Sequence, residues 1–323
     1  MSDSDRRVKR GLRLNLPRSQ KQLLSTFSGL FLLGVVFTIL SPYFFSVNNL
    51  LTVATQTAVI AIIAIGQTYV LITGGIDLSI GSNIALSAMI AGLVMRVNLP
   101  VPLAILAGLA TGLTSGAVSG ALVAFGNIPP FIATLGTMTV ARGISLTLTQ
   151  GIPISGLPKG FTRWGTDYTL GIPNPVMVMV LLVLIFGFIL SKTKLGRYVY
   201  AVGSNFEAAR LSGVNTKRTL ILVYVFSGLL AAFAGLLMAA RIISAQPAAG
   251  DGYELDAVAS SVIGGTSTMG GEGTIAGTFI GAFVIGILRN GLNLIGISPF
   301  IQKIVIGVVI VGSVFFDRIK RKD

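Results

Sequence analysis

The chain has 323 residues, 53% of them hydrophobic and only 11% charged, with 24 Lys and Arg against 11 Asp and Glu. Soluble domains carry about 25% charged residues, so most of this chain must be solvated by lipid or by its own helices. It contains neither Cys nor His, which excludes disulfides, thiol chemistry, Ser-His-Asp relays and His/Cys metal sites; no cofactor and no metal are expected.

Seventeen of the 24 basic residues fall in three short segments. Seven precede Ser25 (Arg6, Arg7, Lys9, Arg10, Arg13, Arg18, Lys21), and six lie between Ser191 and Thr219 (Lys192, Lys194, Arg197, Arg210, Lys217, Arg218). Four more end the chain (Arg318, Lys320, Arg321, Lys322). Positive charge beside membrane spans marks the cytoplasmic side, so both termini and one central loop are expected inside. Nucleic-acid binding is a poor alternative, because these charges hug span ends and no aromatic–basic strip accompanies them. The expected layout is a single transmembrane domain over residues 23–317, flanked by basic tails at 1–22 and 318–323. Its cytoplasmic loop covers about residues 191–219.

A span needs ~20 mostly apolar residues. Taken in order, the expected spans are about residues 23–40, 50–71, 80–97, 102–125 and 131–149. The first is read as an uncleaved helix, since no small-residue cleavage site follows the basic stretch. Residues 151–175 hold Pro153, Pro158, Pro173, Pro175 and the only Trp, Trp164, and are expected as an ordered outer loop at the interface. Spans at about 176–190 and 220–240 follow. The eighth piece starts near Tyr253 and breaks at Gly264-Gly265; it is too short to cross alone, which points to a half-helix or re-entrant segment. Spans at about 274–292 and 300–316 complete the set. The fold class is therefore all-α: a polytopic membrane protein of about ten transmembrane helices, some broken or re-entrant, with cytoplasmic termini.

A short internal echo accompanies this pattern. Gly74-Gly75 is followed by Gly81 as Gly264-Gly265 is by Gly271, each pair opening a helix rich in small residues. Duplicated halves with broken helices at matching positions are a transporter device, with the substrate path between them. Gly108, Gly112, Gly116 and Gly120 form one glycine ridge, and Gly273, Gly277 and Gly281 a second. Such ridges allow close helix approach in lipid, within one subunit or at a dimer seam.

Residues 271–276 fit a loose G-x-G-x-x-A pattern, but no strand precedes them and the dinucleotide reading fails. No Gly-Lys pair occurs, so a phosphate-cradling P-loop is excluded and the chain cannot hydrolyse ATP alone. None of the acidic residues lies in mid-span: Asp77 and Glu272 sit in the two breaks, and Asp251, Glu254 and Asp256 at an outer turn. A proton-driven carrier is therefore a poor fit, and the energy must come from another polypeptide. Asp77 is expected to cap the helix after it, and Arg142 and Arg289 to sit near membrane faces or snorkel. In the central loop, Ser204 and Glu207 read as a capping box and Gly213 as a left-handed stop, giving a surface helix of about eight residues. A helix that short is unstable alone and must dock, on the membrane or on a cytoplasmic partner.

Glu207-Ala208-Ala209-x-x-x-Gly213 resembles the E-A-A-x-x-x-G coupling loop of ABC importer permeases. Lys194-Leu195-Gly196-Arg197, Leu211-Ser212-Gly213-Val214-Asn215 and Gly228-Leu229-Leu230-Ala231-Ala232 look like the ribose-type sugar permeases of that class. So do Thr73-Gly74-Gly75-Ile76-Asp77-Leu78-Ser79-Ile80-Gly81, Phe131-Ile132-Ala133-Thr134-Leu135-Gly136, Gly252-Tyr253-Glu254-Leu255-Asp256-Ala257 and Asn290-Gly291-Leu292-Asn293-Leu294. The likeness runs from about Leu30 to Ile319. It implies a homodimeric permease in a bacterial inner membrane, a separate cytoplasmic ATPase, an extracytoplasmic solute-binding protein and a monosaccharide cargo. Under it, Ser204, Asn205, Glu207, Ala208, Ala209, Arg210 and Gly213 form the helix seated in the ATPase.

A sugar needs hydroxyl and amide partners. Candidates around the breaks and in the spans are Gly74, Gly75, Asp77, Gly81, Asn83, Gly264, Gly265, Asn290 and Asn293, with Gln56 and Gln67; each polar one is equally suited to bridging helices. A nucleoside, a branched-chain amino acid or a furanone-like signal is the alternative cargo within the same superfamily. A self-contained channel or secondary carrier would need no ATPase, and a membrane scaffold would not transport.

Overall fold

The computed structural model describes residues 18–320. The basic residues before Arg18 and the last three, including Arg321 and Lys322, lie outside the described residues. Within them are thirteen helices: α1 (Arg18–Leu40), α2 (Val47–Ile72), α3 (Ile80–Arg96), α4 (Val101–Ala124), α5 (Pro130–Thr147), α6 (Lys159–Thr166), α7 (Asn174–Lys192), α8 (Lys194–Ser204), α9 (Phe206–Leu211), α10 (Thr216–Ile242), α11 (Tyr253–Ile263), α12 (Ile275–Leu294) and α13 (Pro299–Lys320). Six of these (α1, α2, α4, α7, α10, α12) are long and apolar enough to cross a membrane.

Local chemistry sets the helix ends. Ser46 caps α2 by accepting the Asn49 N–H, Asn215 caps α10 through Arg218 and Thr274 caps α12 through Gly277. The helices α4, α5 and α7 start on prolines, whose missing N–H is one that has no helical partner anyway.

The centre is α10, packed on α2, α3 and α4, while α11 and α12 close on the other side of α2. The glycine ridge of α4 makes the tightest of these contacts: Gly112 meets the backbone of Gly228, Gly116 that of Tyr224, and Gly120 that of Ile221. The second ridge packs Gly277 on Gly264 and Gly281 on Ser260, seating α12 on α11. Both ridges are thus spent inside one chain. Fully buried Tyr69 anchors the α2–α7–α10 junction, donating its hydroxyl to the Phe186 carbonyl (2.6 Å) and meeting Phe186 and Phe226 edge-on.

Two expectations are corrected. Residues 151–175, expected as an ordered loop, contain the helix α6 and the hairpin of β2 (Tyr168–Thr169) with β3 (Ile172–Pro173). Within the same segment β1 (Ile154–Ser155) pairs antiparallel with the distant β4 (Ser244–Ala245). The arginines do not snorkel: Arg142 donates to the carbonyls of Pro247 (3.1 Å) and Ala249 (2.9 Å), and Arg289 pairs with buried Asp256 (2.5 Å). A guanidinium inside apolar surroundings costs too much without such acceptors. The eighth piece is an eleven-residue helix, α11, ending at Gly264.

A candidate coupling site beneath two broken helices

Between α7 and α10 the chain folds into α8 and α9, with Thr193 capping α8 through the Gly196 N–H (3.4 Å). The helix α8 runs through Ser204, so Ser204 cannot cap the next one. Asn205, in extended conformation (φ −158°, ψ 106°), caps α9 instead, accepting the Ala208 N–H (2.9 Å). The expected Ser204–Glu207 capping box is therefore not formed. Glu207 pairs with Arg210 one turn on (2.8 Å). At the other end Gly213 adopts φ +82°, its N–H donating to Arg210 while Val214 N–H reaches Ala209, a left-handed stop.

The outcome is a six-residue knob with very little cover. Ala209 alone is buried; Phe206, Glu207, Ala208, Arg210 and Leu211 are exposed, Leu211 by 81%. A groove of about 500 Å³ lies between the knob, the α4–α5 corner and the start of α10, lined by Phe206, Glu207, Arg210, Asn127, Pro129 and Lys217.

Behind the knob, α8 ends where both helix breaks converge. The Gly271 N–H donates to the Ile72 carbonyl at the end of α2 (2.8 Å), which ties the 264–274 break to the 73–79 break. Gly203 lies against both: a methyl group there would overlap the Ile72 carbonyl oxygen and sit 2.8 Å from the Gly271 nitrogen. Gly270 (φ +87°) faces the Gly203 carbonyl and the Gly74 nitrogen. Tyr200 of α8 donates to the Gly273 carbonyl (2.6 Å). Gly74, Gly203, Gly270 and Gly271 thus form one seam on which α8 bears directly.

The first break continues to Asp77, fully buried. Its Oδ1 accepts the Ser79 N–H (2.9 Å) and hydroxyl (2.6 Å), and its Oδ2 accepts the Ser227 hydroxyl of α10 (2.7 Å). Asn83 donates to Ser79 (3.1 Å) and accepts from Ser115 of α4 (2.6 Å). One chain of hydrogen bonds therefore ties α3, α4 and α10 to the break. Farther along, Gly81 meets Glu254 and the Gly250 backbone, which brings the segment before α11 onto the start of α3.

The other candidates divide by what their polar atoms already do. Asn290 exchanges hydrogen bonds with Asn49 (2.9 and 3.0 Å), and Asn293 accepts from Gln302 (3.1 Å). Gln67 is fully buried and its amide has no hydrogen-bond partner among the described residues. Gly264 and Gly265 join α11 to its break, Gly265 at φ +95°. The residues that sequence reasoning missed are Ser227, Ser79, Ser115 and Gly203. Two of them carried a signal: Ser79 lies in the string 73–81, and Gly203 adjoins Ser204 in the loop motif.

The fold is that of a mostly helical, multi-pass membrane protein with two helix breaks meeting under an exposed helical knob. The profile of the family described as "Branched-chain amino acid transport system / permease component" matches residues 49–314, and the chain belongs to that family. It is 49% identical over 302 residues to the "Ribose import permease protein RbsC" of Bacillus subtilis, covering 93% of this chain and 94% of that protein. It is 46% identical over 309 residues to the protein of the same name from Escherichia coli, covering 94% of each. To the "D-allose transport system permease protein AlsC" of Escherichia coli it is 36% identical over 299 residues, 92% of each chain. No solved structure matches the chain significantly. The resemblance to ribose-type permeases thus extends over almost the whole sequence.

Proposed function

We propose that the chain is the membrane permease subunit of an ATP-driven importer that carries a ribose-like monosaccharide across a bacterial inner membrane. The observation that carries this is the α9 knob: the segment resembling a coupling loop is exposed on every side but that of Ala209. A six-residue helix has no independent stability in water, so it is built to be held by a partner. That partner is a separate cytoplasmic ATPase, and an extracytoplasmic binding protein delivers the sugar. The full span set is α1, α2, α3, α4, α5, α7, α10, the half-helix α11, α12 and α13, with both termini inside. Force applied to α9 reaches α8, and through the glycine seam it reaches both helix breaks.

The working unit is a homodimer whose copies face each other along α5. The exposed side of α5 carries Gly136, Thr139, Gly143 and Thr147 between Ile132, Leu135, Val140 and Ile144, and neither glycine has a neighbour within 4 Å. The exposed face of α7 carries Leu181, Leu184, Ile185 and Phe188, which suits lipid. Since the chain has no cysteine, Thr139→Cys should cross-link two copies, and failure to do so would exclude α5 from the axis.

The test of function is to assemble the chain with its ATPase and binding protein in nanodiscs and measure ribose-stimulated ATP hydrolysis. Glu207→Ala should lower stimulation at least about tenfold, the scale of losing a charged hydrogen bond in a partner groove. Uptake by the chain alone in liposomes would replace this reading with a secondary carrier. Stimulation by D-allose or another solute and not by ribose would keep the mechanism and change the cargo.

A further inference from the structure

Two cavities lie side by side against α6, one wholly apolar and the other mixed. The first, about 140 Å³, is walled by apolar side chains of four helices, among them Ile105, Phe161, Trp164, Val178 and Phe233. The second, about 290 Å³, shares Trp164 and Val178 and adds Arg163, Thr169, Asn174 and Met177. An apolar slot that opens beside a cationic cup fits an amphiphile.

Their position fits the same ligand. The helix α6 packs Gly165 on the backbone of Arg241 at the end of α10, and α7 begins at Asn174, so the cavities sit where spans meet water. Phe161, Thr162 and Gly165 are buried on α6, while Lys159 and Arg163, one turn apart, are exposed. Among the described residues the Arg163 guanidinium pairs with Asp167 at 3.7 Å, an exposed pair of little strength. Thr169 donates to Asn174 (2.7 Å), whose amide donates to the Arg163 carbonyl (3.0 Å), which holds the cup in shape. Trp164 is half exposed between slot and cup, the place an indole prefers at a bilayer interface.

We propose that this groove is a binding site for one anionic phospholipid, an acyl chain in the slot beneath Trp164 and its phosphate at Arg163 and Lys159. The inference rests on membrane embedding and is independent of the sugar reading. It gives the outer segment a lipid-held footing between α7 and α10.

The test uses the full chain in phosphatidylcholine nanodiscs containing phosphatidylglycerol with a photoactivatable acyl chain. Irradiation should label α6, the first turns of α7 and residues 233–237, and excess phosphatidylglycerol should compete. Arg163→Gln should lower labelling about fivefold, the effect of one interfacial cation; Val178→Trp should abolish it by filling the slot, with labelling elsewhere unchanged. Uniform labelling of all lipid-facing helices, equal competition by phosphatidylcholine, or indifference to Arg163→Gln would overturn the site. Cross-linking between copies through Trp164→Cys would overturn it too, by assigning the groove to a second protein chain.

Discussion

Replacing Gly203 with Ala tests whether α8 bears on the two breaks. Gly203 is helical and does not use positive φ, so alanine is compatible with its backbone and the effect is steric. The added methyl would overlap the Ile72 carbonyl oxygen and approach the Gly271 nitrogen to 2.8 Å. It must therefore part the Gly271–Ile72 hydrogen bond (2.8 Å) that joins the breaks. Overpacking costs about 1–3 kcal/mol, and leaving a buried backbone pair unmade costs about 1–3 kcal/mol more. Together these loosen the seam by about 2–6 kcal/mol. Local opening free energy sets amide exchange, so exchange in residues 264–274 should accelerate by at least about thirtyfold in deuterium-exchange mass spectrometry. In the assembled transporter, solute-stimulated ATPase should fall while the ATPase still co-purifies. Gly29→Ala, in open space on the exposed side of α1, is the neutral control. Unchanged exchange together with unchanged stimulation would refute the transmission route through Gly203.

Asp77→Asn keeps an acceptor for Ser79 and offers a donor to Ser227, and should cost under about 1 kcal/mol; Asp77→Ala strands one N–H and two hydroxyls and should cost about 2–4 kcal/mol by denaturant titration. Transport abolished by Asn at full stability would instead assign the charge a direct role. Gln67→Met removes two unpaired buried atoms at similar volume and should stabilise by about 1–3 kcal/mol; a simultaneous loss of uptake would place Gln67 on the solute path, and a destabilised protein would show the amide to be bonded. Gly116→Leu drives a side chain into the Tyr224 backbone and should yield a protease-sensitive, poorly assembled chain; normal uptake would contradict the α4–α10 packing.

The sequence made some elements plain and hid others for identifiable reasons. Apolar runs bounded by Pro and Asn located α1, α2, α4, α10 and α12 within a few residues, because span length is a constraint of the bilayer. The brevity of α11 was legible from Gly264-Gly265. The position of the α9 cap was not: Ser204 and Asn205 are both good cap formers, and only the length of α8 decides between them. The Asp77–Ser227 bond joins residues 150 apart, a pairing that no local pattern encodes. Matching glycine spacings revealed two breaks, but their contact at Gly203 depends on how α2 and α12 pack. The β2–β3 hairpin was concealed by its turn, where Leu170 takes φ +55° in a place that usually holds Asn or Gly.

The bareness of α9 also bears on how the cell counts subunits. On the proposed docking, a permease that has found its ATPase shields Phe206 and Leu211, and an orphan displays both on a short exposed helix. Proteases cut frayed, exposed segments first, so surplus permease should be cleared until it matches the supply of its engine. Pulse-chase lifetimes with and without the ATPase would reveal this, and Leu211→Ser should lengthen the orphan's survival.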